Sequence, residues 1–143
     1  MGRVIVHLDS NPKDKAIASI IRTYEERVRN RGISVQTSNV RGRVNYESEL
    51  TSLTGSLVLL DERGDSMTSE DMGRWLHSVQ LDSMTTHLAI GPHNGFSQEI
   101  RESADAIISL SSLTLTHELA GAILMEQLYR ASEINKGSQY HRK

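Results

Sequence analysis

The segment SLVLLD (Ser56–Asp61) contains four large apolar residues in succession, and it limits the possible folds more than any other feature of this chain. A strand that is apolar without alternation is buried on both faces, which is typical of a central strand in a parallel sheet. Parallel strands need long crossover connections, usually helices. Strand-like and helix-like segments do alternate along the chain. The predicted strands are RVIVHL (residues 3–8), ISVQTS (33–38), SLVLLD (56–61), THLAIG (86–91) and DAIISL (105–110).

Helical periodicity and helix-end signals predict the segments that connect these strands. This order of elements predicts one α/β domain over residues 1–143, with a mainly parallel sheet and helices on both faces. Ligands of such sheets bind outside the carboxyl ends of the strands. The expected helices are Asp14–Arg31, a short helix near residues 46–53, a helix with a capping box from Thr68 to Asp71, a short helix opened by Ser97, and His117–Lys136.

Composition narrows the classes of protein that fit. The 143 residues include no cysteine, which excludes disulfides, thiolate catalysis and cysteine-ligated metals, and we expect no metal site. No run approaches the roughly 18 apolar residues of a membrane span, so we expect a soluble, cytoplasmic protein without a membrane partner.

The net charge of −2 conceals two basic ends. Residues 1–43 hold nine Lys or Arg and four Asp or Glu, residues 44–118 hold three and twelve, and residues 119–143 hold four and two. If the ends meet in the fold, they form one positive surface suited to phosphates. The alternative is a set of solvated helix faces.

Three segments follow predicted strands at the ligand-binding edge: 60–64, 91–95 and 110–116. The first offers Asp61 and Glu62, which also fit a solvated acidic turn. In the second, Gly91 and Gly95 flank a turn that contains His93. Each of these signals is weak when it is taken alone.

The third segment, LSSLTLT, combines small hydroxyl residues with regularly spaced leucines. It is too apolar for a free surface loop, so we expect it to be partly buried. The backbone groups of a buried segment need partners, which the edge of a bound adenine supplies while leucines cover the ring. Thr116 is a suitable N-cap for the helix that follows. A capped structural connection explains the same residues equally well.

Asp9 and Asp61 both follow strands, as the paired carboxylates of response-regulator receiver domains do. Such a pocket also needs a lysine after the last strand, where this chain has Leu110-Ser111-Ser112. No lysine occurs between Asp61 and Asn135. A receiver-like domain is therefore the weaker interpretation.

The order of motifs resembles that of the SPOUT-class RNA methyltransferases, and most closely the ribosomal RNA large subunit methyltransferase H family. The resemblance covers nearly the whole chain and is most specific from Ser109 to the C-terminus. The segments LVLLDERG and LAIGPHNGFS occupy the family's other two pocket positions in the same order. The residues that fit the family pattern are Ser109, Ser111, Thr114, His117, Glu126, Tyr129, Arg130, Ala131, Tyr140 and His141.

The resemblance implies a C-terminal trefoil knot, a homodimer, and methylation of N3 of a pseudouridine in large-subunit (23S) rRNA or the assembled ribosome. The implied cofactor is S-adenosylmethionine, and the implied RNA-facing residues are Arg130, Tyr140, His141 and Arg142. No catalytic base is indicated; His141 is a candidate by residue type alone. The implied cofactor contacts are Leu60, Gly91, Leu110, Ser111, Ser112, Leu113, Thr114 and Leu115.

Three positions depart from the family pattern. Pro92 stands where a second glycine is usual, Thr116 replaces a proline, and Gly121 replaces an arginine. The segment before SLVLLD is also shorter than usual. These departures leave a second hypothesis open, a noncatalytic SPOUT-like protein that binds RNA or the ribosome.

Overall fold

A computed structural model describes residues 2–142 as a five-stranded parallel sheet with helices on both faces. The strand order is β2-β1-β4-β3-β5, and every neighbouring pair is parallel. This confirms the predicted α/β class. The strands are β1 (Val4–Leu8), β2 (Ile33–Thr37), β3 (Ser56–Ser66), β4 (Thr86–Ile90) and β5 (Ala106–Ser109).

The helices begin at the residues whose side chains were expected to cap them. Thr68 and Asp71 form the predicted capping box, and the hydroxyls of Ser97 and Thr116 accept backbone N–H groups in the helices that follow them. Gly32, at φ 76°, ends the 3-10 turn Arg29–Arg31 that extends the first helix. The helices are α1 (Lys15–Val28), α2 (Arg43–Thr51), α3 (Ser69–Leu81), α4 (Gln98–Ser103) and α5 (His117–Lys136).

The apolar run of β3 is buried on both faces of the sheet, as predicted. Val58 and Leu60 join the larger core, in which α1, α3 and α5 cover one face. Leu57 and Leu59 join the smaller core, in which α2 and α4 cover the other face. Packing of both layers against one strand places β3 in the interior of the sheet.

The structure differs from the sequence prediction at residues 61–64, which were expected to form a turn after the strand. Instead β3 continues to Ser66, and its pairing with β5 shifts, so that Leu60 and Asp65 both lie opposite Ile108. The residues between them bulge out of the ladder. Gly64 makes the bulge possible, because a Cβ atom there would lie 2.5 Å from the carbonyl carbon of Ile107.

The strand order also argues against the receiver-like interpretation. Doubly wound sheets of the receiver type have the order 2-1-3-4-5, whereas here β4 lies between β1 and β3. The Asp61 carboxylate is bound by Arg63, and residues 2–142 contain no group of three potential metal-ligating side chains.

The basic ends of the chain meet, because α1 and α5 pack side by side. Arg31 donates to Glu133 at 2.7 Å, and the guanidinium of Arg27 lies 5.2 Å from the ring centre of Tyr129. At the other end of the pair, the Glu118 carboxylate accepts the backbone N–H groups of Lys13 (3.0 Å) and Asp14 (3.2 Å). Part of the expected positive surface is therefore neutralised within the fold. Among the helices of residues 2–142, none has the length and apolar character that crossing a membrane requires.

Two buried histidines lie on adjacent central strands. Nε2 of His7 is 2.8 Å from Nδ1 of His87, and Nε2 of His87 is 3.0 Å from the carbonyl oxygen of Thr54. That carbonyl only accepts, so His87 carries its proton on Nε2 and accepts the Nε2–H of His7 through Nδ1. Burial, with a further contribution from His87, lowers the pKa of His7 from 6.5 to about 4.

We predict an acid-sensitive contribution to stability from His7. Between pH 6.5 and 4, His7 binds a proton more readily in the unfolded chain than in the folded protein. The contribution of His7 to the free energy of unfolding is therefore fully present above about pH 6.5 and is lost as the pH falls toward 4. This contribution is on the order of 3 kcal/mol. In urea unfolding at several pH values, His7→Gln should flatten the decline in this window, whereas His77→Gln, at an exposed position on α3, should not. An unchanged decline in His7→Gln would contradict the prediction.

Candidate functional site

The carboxyl ends of β3, β4 and β5 open into a cavity of about 550 Å³. Residues 60–63, 90–96, 109–111 and 113–117 line it, together with Ala120 on α5. These are the three segments that the sequence indicated. The volume is within the range of pockets that hold small molecules and cofactors.

Seven of the eight residues expected to contact a cofactor line this cavity. Ser112 is the exception, since it is exposed and is not part of the lining. The seven residues come from all three segments, so the fold brings together positions up to 55 residues apart in sequence (60 to 115). They are Leu60, Gly91, Leu110, Ser111, Leu113, Thr114 and Leu115.

The segment after β4 forms an apolar wall that α2 supports. A Cβ atom on Gly91 would lie 3.3 Å from the ring of Phe96, which is buried. The ring of Tyr46 stacks on Phe96 at 6.3 Å, and its hydroxyl donates to the carbonyl of Ile90 at 2.7 Å. Pro92 fits this segment, because the turn uses its carbonyl, which accepts the N–H of Gly95 at 2.8 Å.

The segment between β5 and α5 is less buried than the sequence suggested. Leu110, Ser111 and Leu115 are half-buried, but Leu113 is 71% exposed beside the cavity. The Ser111 hydroxyl shapes the segment by accepting the N–H of Leu113 at 2.9 Å. Within residues 2–142, the backbone groups of residues 112–115 make no hydrogen bond to another backbone group. Except for the N–H of Leu113, which is bound by Ser111, these groups remain available to a ligand.

The bulge of β3 gives the cavity its charged side. Arg63 binds Asp61 through two side-chain nitrogens at 3.0 and 3.2 Å. Burial alone would raise the pKa of Asp61, but hydrogen bonds from the Arg63 side chain and backbone hold it below its ordinary value. Glu62 accepts the hydroxyl of Thr114 at 2.9 Å, which joins the bulge to the β5–α5 segment. The sequence pattern did not indicate Arg63 as a cavity residue, because its place depends on the bulge.

Two histidines line the cavity, and their rings lie 6.1 Å apart in an edge-to-face arrangement. From sequence alone His93 is a weak candidate, because it is a single histidine in an exposed turn. The proximity of His117, from the first turn of α5, could not be read from a spacing of 24 residues (93 to 117). The pair is a set of proton donors and acceptors next to the apolar wall.

The C-terminal tail folds back onto α5 and α3. Arg130 donates to Glu126 at 2.8 Å and lies 3.1 Å from Nδ1 of His141, and Nε2 of His141 is 2.8 Å from Glu70. The hydroxyl of Tyr140 donates to Glu126 at 2.8 Å. Three of the four residues expected to face RNA therefore form one cluster.

The fourth of these residues, Arg142, is exposed and has no side-chain partner within residues 2–142. The tail cluster is separate from the cavity of its own chain. Arg130 comes 13 positions after His117, a distance of about 20 Å along α5. His141, the base candidate by residue type, is likewise not among the residues that line the cavity of the same chain.

Comparison with known proteins identifies the family. Residues 3–141 match the family described as "Predicted SPOUT methyltransferase". The chain belongs to the SPOUT methyltransferases. A relative from Deinococcus deserti, named ribosomal RNA large subunit methyltransferase H, is 40% identical over 124 residues, which cover 83% of this chain and 85% of the relative. This places the chain in the methyltransferase H branch of the SPOUT family.

A second relative with the same name, from Prochlorococcus marinus, is 54% identical over 86 residues. That match covers 60% of this chain and 58% of the relative's length. A solved structure, the AdoMet-bound rRNA methyltransferase from Sinorhizobium meliloti, superposes with a TM-score of 0.51 at 16% identity. It covers 90% of this chain and 56% of that chain, and the likeness is one of fold.

We predict that the β3 bulge depends on Gly64. Gly64→Ala should destabilise the protein by about 1–3 kcal/mol, because its methyl group would overlap the backbone of Ile107. Urea unfolding measures the effect. Gly73→Ala is the control, since a Cβ there would lie 3.4 Å from the Ile134 side chain and alanine favours the helix. Equal stability of the two variants would show that the bulge tolerates a side chain.

Proposed function

We propose that this chain transfers a methyl group from S-adenosylmethionine to N3 of a pseudouridine in large-subunit ribosomal RNA. One observation carries the proposal: the three strand-end segments that resemble the family's pocket line one cavity of about 550 Å³. The relatives named ribosomal RNA large subunit methyltransferase H support the choice of substrate.

The residues of the cavity fit the proposed cofactor. Gly91 leaves space beside the Phe96 ring, and the exposed Leu113 gains an apolar partner if a ring lies in the cavity. The backbone groups of residues 112–115, apart from the N–H of Leu113, are free to pair with the edge of an adenine. Leu60, Gly91, Leu110, Ser111, Leu113, Thr114 and Leu115 would hold the cofactor, and we give the Ser112 side chain no role.

The bound cofactor supplies an electrophilic methyl group on a sulfonium. The protein aligns the acceptor nitrogen with that methyl and excludes water, which is the main source of rate in a transfer of this kind. The N3–H of the base must lose its proton before or during transfer. Imidazole is suited to accept a proton near neutral pH, so His93 and His117 are the candidate bases within this chain.

We also propose that the C-terminal region forms a trefoil knot. β5 lies at one edge of the sheet, yet Gly121 of α5 packs against Leu8 of β1 and Ile21 of α1. The chain after β5 therefore returns across the carboxyl ends of the intervening strands. This path, and the family to which the chain belongs, support a threaded connection.

A homodimer that works in the cytoplasm on rRNA or the ribosome completes the proposal. Ile20 and Leu119 are 43% and 44% exposed on the adjacent helices α1 and α5, which supports an interface there. Arg130, Tyr140, His141 and Arg142 would face RNA, with arginine for phosphates and tyrosine for stacking. The separation of this tail cluster from the cavity of its own chain is consistent with a dimeric arrangement.

Titration calorimetry with S-adenosylmethionine tests the cofactor site. Gly91→Leu should abolish binding, because its side chain would fill the space beside Phe96, while the circular dichroism spectrum stays native. Glu99→Leu places a leucine at an exposed position on α4, outside the cavity, and should bind normally. Failure of the unmodified protein to bind millimolar cofactor would reject the enzyme and favour a noncatalytic RNA-binding protein.

Mass spectrometry of large-subunit rRNA tests the substrate. Cells that lack the gene should lose the methyl group on one pseudouridine, and the unmodified gene should restore it. Restoration should fail with Gly91→Leu and succeed with Glu99→Leu. Full persistence of the methyl group in the deletion strain would show that the proposed substrate is wrong.

A further inference from the structure

The carboxyl edge of the sheet carries an arginine pair outside the cavity lining. Both follow β2: Arg41 lies on the loop before α2, and Arg43 is the first residue of α2. Arg41 is exposed and Arg43 is half-buried. Neither guanidinium has a hydrogen-bond or ion-pair partner within the described range 2–142. Two unpaired guanidinium groups, two residues apart in sequence, can therefore bind an anion without breaking a contact of the fold.

Helix α2 fixes this pair at the rim of the cavity. Tyr46, one turn after Arg43, donates its hydroxyl to the carbonyl of Ile90, and Ile90 lines the cavity. Glu47 accepts the backbone N–H of Ser97 at 2.8 Å, at the end of the loop that forms the apolar wall. One helical turn rises about 5.4 Å, so Arg43 lies about that far along α2 from Tyr46, whose ring stacks on Phe96 of that wall.

Glu47 is the nearest acidic side chain along the helix from Arg43, at a spacing of four residues. Its two oxygens are already bound to the N–H and hydroxyl of Ser97. This explains why Arg43 is left without an intrahelical ion pair, although the spacing favours one. The positive charge of Arg43 remains available at the rim.

The opposite rim differs in the state of its arginine. There the β3 bulge presents Asp61 and Glu62, and Arg63 is held by the Asp61 carboxylate. Helix α2 also carries two acidic side chains, Glu47 and Glu49, so the two rims differ less in total charge than in free guanidinium groups. Within residues 2–142, the unpaired guanidinium groups of Arg41 and Arg43 lie on the α2 side, where they can bind a phosphate.

We infer that Arg41 and Arg43 bind phosphates next to the acceptor nucleotide, so that the RNA strand enters the cavity over α2 and not over the β3 bulge. This inference rests on the proposed rRNA substrate. Arginine suits the role because its planar fork binds phosphate through two donors. Val44, which is 78% exposed beside the pair, gives an unstacked base an apolar surface.

RNA binding by the full chain tests the pair. Arg41→Gln with Arg43→Gln should weaken binding to large-subunit rRNA about tenfold and reduce the slope of log affinity against log salt by roughly 1–2. The matched control is Arg3→Gln with Arg29→Gln, which removes two charges at the amino edge of the sheet. The control should keep its salt slope, and both variants should bind S-adenosylmethionine normally. Equal affinities and slopes for the two double variants would overturn the inference.

The direction of entry has its own test, because the chain contains no cysteine. Val44→Cys and Asp65→Cys each introduce a single exposed thiol, one beside the arginine pair and one beside the bulge. With a short photoreactive label on each, Val44→Cys should crosslink to rRNA near the acceptor base at several times the yield of Asp65→Cys. Equal or reversed yields would contradict entry over α2.

These measurements separate the inference from the function on which it rests. If the unmodified chain transfers no methyl group but binds rRNA in a way that depends on Arg41 and Arg43, the proposed enzymatic activity is rejected and the binding surface is supported. Methyl transfer by the unmodified chain, with an unchanged KM for rRNA in the Arg41→Gln, Arg43→Gln variant, would reject the surface alone. Absence of rRNA binding by the unmodified chain would reject both.

Discussion

The backbone of Gly64 lies so close to the backbone of Ile107 that no side chain fits between them. This contact lets β3 resume its pairing with β5 after residues 61–64 have left the ladder. The bulge then projects Asp61, Glu62 and Arg63 over the carboxyl edge, where they form one side of the cavity. Without the close approach, β3 would end at the edge of the sheet and the cavity would lack its charged wall.

The fold was predictable where local signals and tertiary packing agree. Caps at Thr116 and Ser97 depend on hydroxyl groups that satisfy free N–H groups nearby, so sequence spacing is sufficient to locate them. The buried β3 run was evident for the same reason. The bulge was not, because Asp-Glu-Arg-Gly favours a turn by local preference, and pairing with β5 overrides that preference.

The candidate site was predictable as a set of segments but not as a set of contacts. Parallel strands end at one edge, which brings the segments together whatever their sequence separation. The details depend on three-dimensional packing: His93 meets His117, Glu62 binds Thr114, and Ser112 points away from the lining. The pairing of Arg130 with Glu126 and His141 likewise depends on the path of the tail.

The Glu118 carboxylate, bound to the backbone N–H groups of Lys13 and Asp14, joins the first turn of α5 to the start of α1. Since Thr116 and His117 come directly before it, the β5–α5 segment and α1 are mechanically coupled. One side of the cavity is thereby tied to a part of the chain that lies 104 residues away in sequence.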